Sequence, residues 1–152
     1  MNTAATEPDI KELGVHDCWK YLRSTSICRI AFTDGNTVEN YPVNYVPTNG
    51  TLLIRTGEGT KLASLADRQA VAVEADGMNQ YGTIAWSVIL KGRAVVVSDA
   101  EEAQDAMDAG LSPWQPGQKN VLIRITPEEV SGRRFVIAAP THWWPPREPS
   151  AD

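Results

Sequence analysis

Apolar and polar residues alternate with a period of two over much of the chain, in short runs broken by turn signals. Ser26 to Thr33 reads as a strand, ended by Asp34-Gly35-Asn36. Thr37 to Pro47 is a second strand, so Asp34-Gly35 belongs to a hairpin. Pro42 inside that strand predicts an edge or a bulge, since proline cannot donate to a ladder. Asn49-Gly50 is a second turn, and Thr51 to Thr56 a third strand. Gln69 to Ala75 alternates as a fourth and stops at Asp76-Gly77. Thr83 to Val97 is too long for a flat strand, and Gly92 marks a bend or bulge in it. Val121 to Ile125 and Arg133 to Ala138 complete the strands, with a turn at Thr126-Pro127-Glu128-Glu129 between them.

Helical spacing is rarer. Val15, Cys18, Trp19 and Leu22 define a short amphipathic helix at 15–24. A second covers 60–67, after the third strand. Ser98 and Glu101 form a capping box for a third that reaches Ala109 and closes at Gly110. Strands with short helices at the corners predict a mainly β (α+β) fold, a small closed or partly closed barrel of six or more antiparallel strands. Helices do not alternate regularly with strands, which argues against a doubly wound sheet. Residues 1–12 read as a flexible arm, 13–138 as the folded domain, and 139–152, with four prolines, as a tail beyond regular structure.

Composition narrows the chemistry. The 152 residues fit one domain. A net charge of −5 argues against a general nucleic-acid or membrane-surface partner. The polar, acidic N-terminus and the lack of a long apolar run suggest a cytoplasmic protein. The two cysteines, Cys18 and Cys28, read as reduced core residues. There are only two histidines, His16 on the first helix and His142 on the tail, which argues against a histidine-based metal site or a Ser-His-Asp triad. With no convincing acid, base or nucleophile, a bound cofactor is the better source of reactivity.

One segment suggests where it would sit. Arg55-Thr56-Gly57-Glu58-Gly59-Thr60-Lys61-Leu62 joins the third strand to the 60–67 helix, and it gathers two cations, two threonine hydroxyls and two glycines. A helix N-terminus with a lysine beside it suits a phosphate. The competing reading is an ordinary capped helix with solvated basic residues. The glycine spacing matches neither a Walker loop nor a dinucleotide fingerprint.

Several segments, taken in order, resemble the flavin-binding split-barrel proteins related to pyridoxamine 5′-phosphate oxidase. They are Cys28-Arg29-Ile30-Ala31-Phe32, Tyr41-Pro42-Val43-Asn44-Tyr45, Arg55-Thr56 with Gly59-Thr60-Lys61-Leu62, Trp86-Ser87-Val88, Gly92-Arg93-Ala94, Pro113-Trp114, Arg124-Ile125-Thr126-Pro127 and Gly132-Arg133-Arg134-Phe135. The resemblance implies a homodimer with flavin mononucleotide (FMN) at the subunit interface. It sets Val43, Asn44 and Tyr45 along the ring, with main-chain groups contacting its polar edge, and Arg55, Thr56, Thr60 and Lys61 at the phosphate. Trp86 and Ser87 approach the cofactor on the long strand, and Trp114 or Trp143-Trp144 covers it. Tyr45, Asn44 and Trp86 also read as plain strand or core residues, and Arg133 and Arg134 as interface or solvated strand residues, one of which could instead reach the phosphate of the partner's cofactor. The C-terminal arginine and histidine substrate motif of the oxidase itself is missing, which argues against that enzyme's own activity. The implied activity is a flavin-dependent oxidoreductase of some other substrate. The alternatives are a deazaflavin-dependent reductase, with Arg68 extending the basic site, and a non-catalytic flavin carrier.

Overall fold

The structure, a computed structural model, describes residues 10–111 and 120–137. The elements run β1 (Ile10–Leu13), α1 (Val15–Leu22), β2 (Ile27–Asp34), β3 (Thr37–Thr48), β4 (Thr51–Gly57), a 3-10 turn (Leu62–Ser64), β5 (Gln69–Met78), β6 (Ile84–Val97), α2 (Ala100–Asp108) and β7 (Asn120–Val136). All strand pairs are antiparallel. They form a seven-stranded sheet in the order β1-β7-β4-β3-β2-β5-β6, and β6 pairs again with β7, closing a ring. This is the barrel expected from the strand pattern, and the split β-barrel that the family resemblance implies.

Turn chemistry sets the hairpins. Asp34 pairs with Thr37 across Gly35-Asn36, and Gly35 takes φ +59, as the first central residue of a type II′ turn requires. Thr48 pairs with Thr51 across Asn49-Gly50, both at positive φ, which is the type I′ arrangement.

The period-two pattern fills the barrel. Cys28, Ile30 and Phe32 of β2, Val71, Val73 and Ala75 of β5, and Trp86, Val88 and Leu90 of β6 face a single core. Helix α1 plugs one end with Cys18 and Leu22. Helix α2 covers a smaller cluster on the outer side of β4 and β7, where Leu53 and Leu122 meet Ala106 and Leu111. Its cap is Asp99 rather than Ser98: the Asp99 carboxylate accepts the Glu101 N–H at 2.9 Å.

Two boundaries differ from the sequence reading. Ile10 to Glu12, expected in a loose arm, pair with Phe135 to Arg133 as part of β1. The two C-terminal strands are one, β7, which stays on β6 through the expected turn with a register shift between Lys91 and Gly92. Lys91 pairs with Glu129 and Gly92 with Pro127, so Glu128 is the extra residue of a β-bulge. The bulge switches which alternate residues face inward, from Ile123 and Ile125 before it to Val130 after it. That phase change, with proline at its centre, is what made one bent strand read as two. Gly92 is required there, because a Cβ on it would stand 2.1 Å from the Thr126 carbonyl oxygen. Among the described residues no helix is long and apolar enough to cross a membrane.

Candidate functional site

Strands β3 and β4 pair only from Thr48↔Thr51 to Tyr45↔Ile54. Beyond that point β3 continues along β2 to Thr37, while β4 continues along β7 to Gly57. The sheet therefore forks, and over residues 37–43 β3 has β2 on one edge and no described strand on the other. The Tyr45 N–H donates to the Ser26 carbonyl at 3.0 Å, on the β2 side. Main-chain groups on a strand alternate between its two edges, so those of Pro42 face into the fork. Proline has no N–H to leave unpaired there, which explains its tolerance inside a long strand.

Side chains on β3 divide between the two faces. Val43 and Tyr45 belong to the buried core. The Tyr45 hydroxyl donates to the Leu22 carbonyl at 2.5 Å, satisfying one of the acceptors that the end of α1 leaves open. Burial raises its pKa far above the usual phenol range, with the nearby Cys28 adding to the effect. Their side chains thus face the core, and what the fork offers is the β3 main chain, the part expected to meet the ring, with the half-buried Asn44 on the opposite face. Cys28 is fully buried, and burial pushes its thiol up to about 12, so it is not a nucleophile at neutral pH.

The segment after β4 is the larger correction. The expected 60–67 helix is one 3-10 turn, Leu62–Ser64, after which Leu65 is already extended (φ −55, ψ 138). Side-chain hydroxyls compete with a helix here. The Thr60 hydroxyl donates to the Gly57 carbonyl at 2.9 Å and accepts the Ala63 N–H at 3.1 Å, and Ser64 bonds back to the Lys61 carbonyl at 2.8 Å. A single short turn has no appreciable dipole, so any anion site here depends on side chains. Thr56 and Thr60 do converge, their hydroxyl oxygens 3.1 Å apart, and Lys61 follows directly. Arg55 does not join them. It lies on the other face of β4, where its guanidinium donates to the Leu111 carbonyl at 3.1 Å and ties β4 to the end of α2.

Residues that the sequence reading passed over complete this end of the fork. Lys61 Nζ lies 2.6 Å from Glu39 Oε1 and 3.8 Å from Asp34 Oδ2. The Tyr41 hydroxyl donates to Glu39 Oε2 at 3.0 Å. The hydrogen bond from Lys61, followed by that from Tyr41, holds the Glu39 carboxyl below its ordinary range, and Glu39 in turn raises Lys61. The signal was present: Glu39, Tyr41, Val43 and Tyr45 share one face of β3 by simple alternation.

Trp86 and Ser87 stand on β6, separated from β3 by β2 and β5. Trp86 is a core residue, stacked on Tyr21 with ring centroids 5.0 Å apart. It lies over Gly77, where a Cβ would meet the indole at 2.9 Å. Ser87 lies between Asp76 and Arg133 on the outer face of the sheet. On that face Arg29 Nη1 bridges Glu74 at 3.5 Å and Asp76 at 3.2 Å. Burial and then the neighbouring Asp76 raise the Glu74 carboxyl to about 7, outweighing the pull of Arg29. Arg68 does not extend the Lys61 site outward but lines a surface cleft with Arg93 and Glu128. Trp114, His142 and Trp143-Trp144 lie outside the described residues.

The family model for pyridoxamine 5′-phosphate oxidase matches residues 15–134, nearly the whole described barrel. The chain belongs to this family. Among solved structures it is similar to the FAD binding protein from Mycobacterium smegmatis, at 38% identity and TM-score 0.70, covering 83% of this chain and 98% of that one. It is also similar to a conserved protein of unknown function from Corynebacterium diphtheriae, at 35% identity and TM-score 0.69, covering 84% of this chain and 98% of that one. An uncharacterized protein of Mycobacterium tuberculosis is 30% identical over 138 residues, 88% of this chain and 90% of its own length. Within this family framework, the fork between β3 and β4 is the candidate site.

Proposed function

We propose that this family member binds a flavin nucleotide in the fork, with the ring along the open edge of β3 and the phosphate at Thr56, Thr60 and Lys61, and that it acts as a flavin-dependent oxidoreductase. The observation that carries the reading is the fork itself. A main-chain edge that no described strand pairs lies beside one ammonium and two hydroxyls, and this donor set suits the polar rim of a flavin and an anionic tail. FMN is the cofactor proposed first. FAD is the second reading, favoured by the similarity to the FAD binding protein of M. smegmatis. A deazaflavin is less favoured, because Arg68 turns toward Arg93 and Glu128. A bound flavin would supply hydride transfer; the chain's own contribution is to bind and orient it.

We also propose a cytoplasmic homodimer that completes the site. Support comes from the outer face of β2, β5 and β6, which no described helix covers and which exposes Ile89 and Met78. Absorption spectra with added FMN, FAD or deazaflavin test the cofactor, and loss of a titratable flavin signal in all three overturns it. Sedimentation on dilution tests the dimer: flavin retained by a monomer refutes a shared site.

A further inference from the structure

Lys61 is the cation on which the phosphate assignment rests, and it already has an anion. Its Nζ lies 2.6 Å from Glu39 Oε1, with Asp34 Oδ2 further off at 3.8 Å. The carboxylate is the fixed partner of the pair. Its side chain is 18% exposed against 54% for Lys61. The Tyr41 hydroxyl holds Oε2 at 3.0 Å, and the Thr37 hydroxyl lies 3.4 Å from Oε1. Lysine carries its charge on a flexible stem, so the ammonium is the part that can turn. Glu39 thus offers Lys61 the same chemistry that a ligand phosphate would: a negative charge on acceptor oxygens.

We propose that Glu39 is an internal substitute for the ligand's phosphate, holding Lys61 in the free protein and setting the site's affinity according to the charge of the ligand's phosphorylated end. The inference rests on the flavin reading above. A phosphate monoester carries about −1.5 to −2 at neutral pH. Reaching Lys61, it must either displace the carboxylate or share the ammonium with it, and in both cases it stands close to another negative charge. An ammonium has three donors, so sharing is geometrically open. The repulsion is graded: largest for the monoester of FMN, smaller for the singly charged diester phosphates of FAD, and absent for riboflavin. Glu39 therefore selects against a terminal phosphate, although the Lys61 site attracts one.

The test is a fluorescence titration of the full chain with FMN, FAD and riboflavin, in wild type, Glu39→Gln, Lys61→Ala and the double variant. Thermal melts check that each is folded, and Glu39→Ala serves as a second variant of the same residue. Glu39→Gln is expected to tighten FMN about tenfold, FAD about threefold and riboflavin less than about twofold, as removal of one nearby charge predicts. The gain disappears when Lys61 is also replaced. Unchanged or weaker FMN binding in both Glu39 variants overturns the proposal while leaving flavin binding intact. If no flavin binds any variant, the flavin reading itself falls. Inorganic phosphate, followed by NMR shifts of the Lys61 region, then decides the gate separately: binding gained in Glu39→Gln upholds it, and no gain overturns it.

Discussion

Strands β6 and β7 stay paired from Ile84↔Val136 to Val97↔Leu122, through a bulge and a proline. Strands β3 and β4 share the tightest of hairpin turns yet part company after Tyr45↔Ile54. The first pair keeps its ladder through Pro127, where the sequence suggests a break; the second gives its ladder up short of Pro42, where the sequence suggests an edge. A bulge lets a strand bend while keeping partners on both sides of the bend. Where β3 and β4 separate, each still has a partner on its far edge, β2 for one and β7 for the other. Among the described residues the ring of strands is paired throughout except at the fork, and that is where this edge of β3 and the Thr56–Thr60–Lys61 cluster lie.

Substitutions at each region test this contrast. Gly92→Ala should have the largest effect, because its Cβ would overlap the Thr126 carbonyl oxygen, and backbone cannot step aside cheaply. A loss of about 3 kcal/mol is expected, read as a lower midpoint in urea. An unchanged midpoint would show that the ribbon bends without needing glycine. Tyr45→Phe should cost about 1–2 kcal/mol, since it leaves the Leu22 carbonyl without its buried donor. Flavin affinity should stay within about twofold, because only the main chain at this position is left to meet a ligand. The reverse outcome, normal stability with weakened binding, would return the Tyr45 side chain to the ligand site.

Lys61→Ala sharpens the comparison from the other side. Stability should barely change, as exposed ion pairs contribute little, while FMN affinity should fall about tenfold with the loss of a charge-assisted contact. Equal affinity for FMN before and after would move the phosphate elsewhere. The smallest effect is expected on the outer sheet face. Glu74 has a folded pKa of about 7, raised above its ordinary value, so the native state holds a proton that the unfolded chain has released. Stability therefore declines as pH rises from about 4.5 to 7 on this account. Glu74→Gln should raise the melting temperature slightly at pH 8 and leave it unchanged at pH 4. A gain equal at both pH values would show that proton binding is not the cause.

The fold was largely legible in the sequence because period-two alternation and glycine turns are local signals. Both hairpins, the bulge at Gly92 and the edge position of Pro42 could be read from neighbouring residues alone. What failed was non-local. The β7 strand changes its inward face at Glu128, a change that only its β6 partner explains. The 60–67 segment has helical spacing, but its hydroxyls bond to nearby backbone instead, and β5 begins at Gln69. At the site, Thr56, Thr60 and Lys61 were found together as read, whereas Arg55 was lost to the opposite face because adjacent strand residues point opposite ways. Alternation puts Glu39 on the same face of β3 as Tyr41, Val43 and Tyr45, but nothing local pairs it with Lys61, 22 residues further along the chain.

The reach of β7 has a consequence for how the protein is made. This one strand pairs with β6 along one edge and with β4 and then β1 along the other. During synthesis the hairpins from β2 to β6 can form as they leave the ribosome, but the ring waits for residues 120–136, and β1 waits with it. Until then the inner faces of β4 and β6 are exposed to water, and contacts between distant parts of a chain form slowly. The nascent barrel consequently leaves most of its apolar strand surface uncovered in the interval before its last described strand emerges.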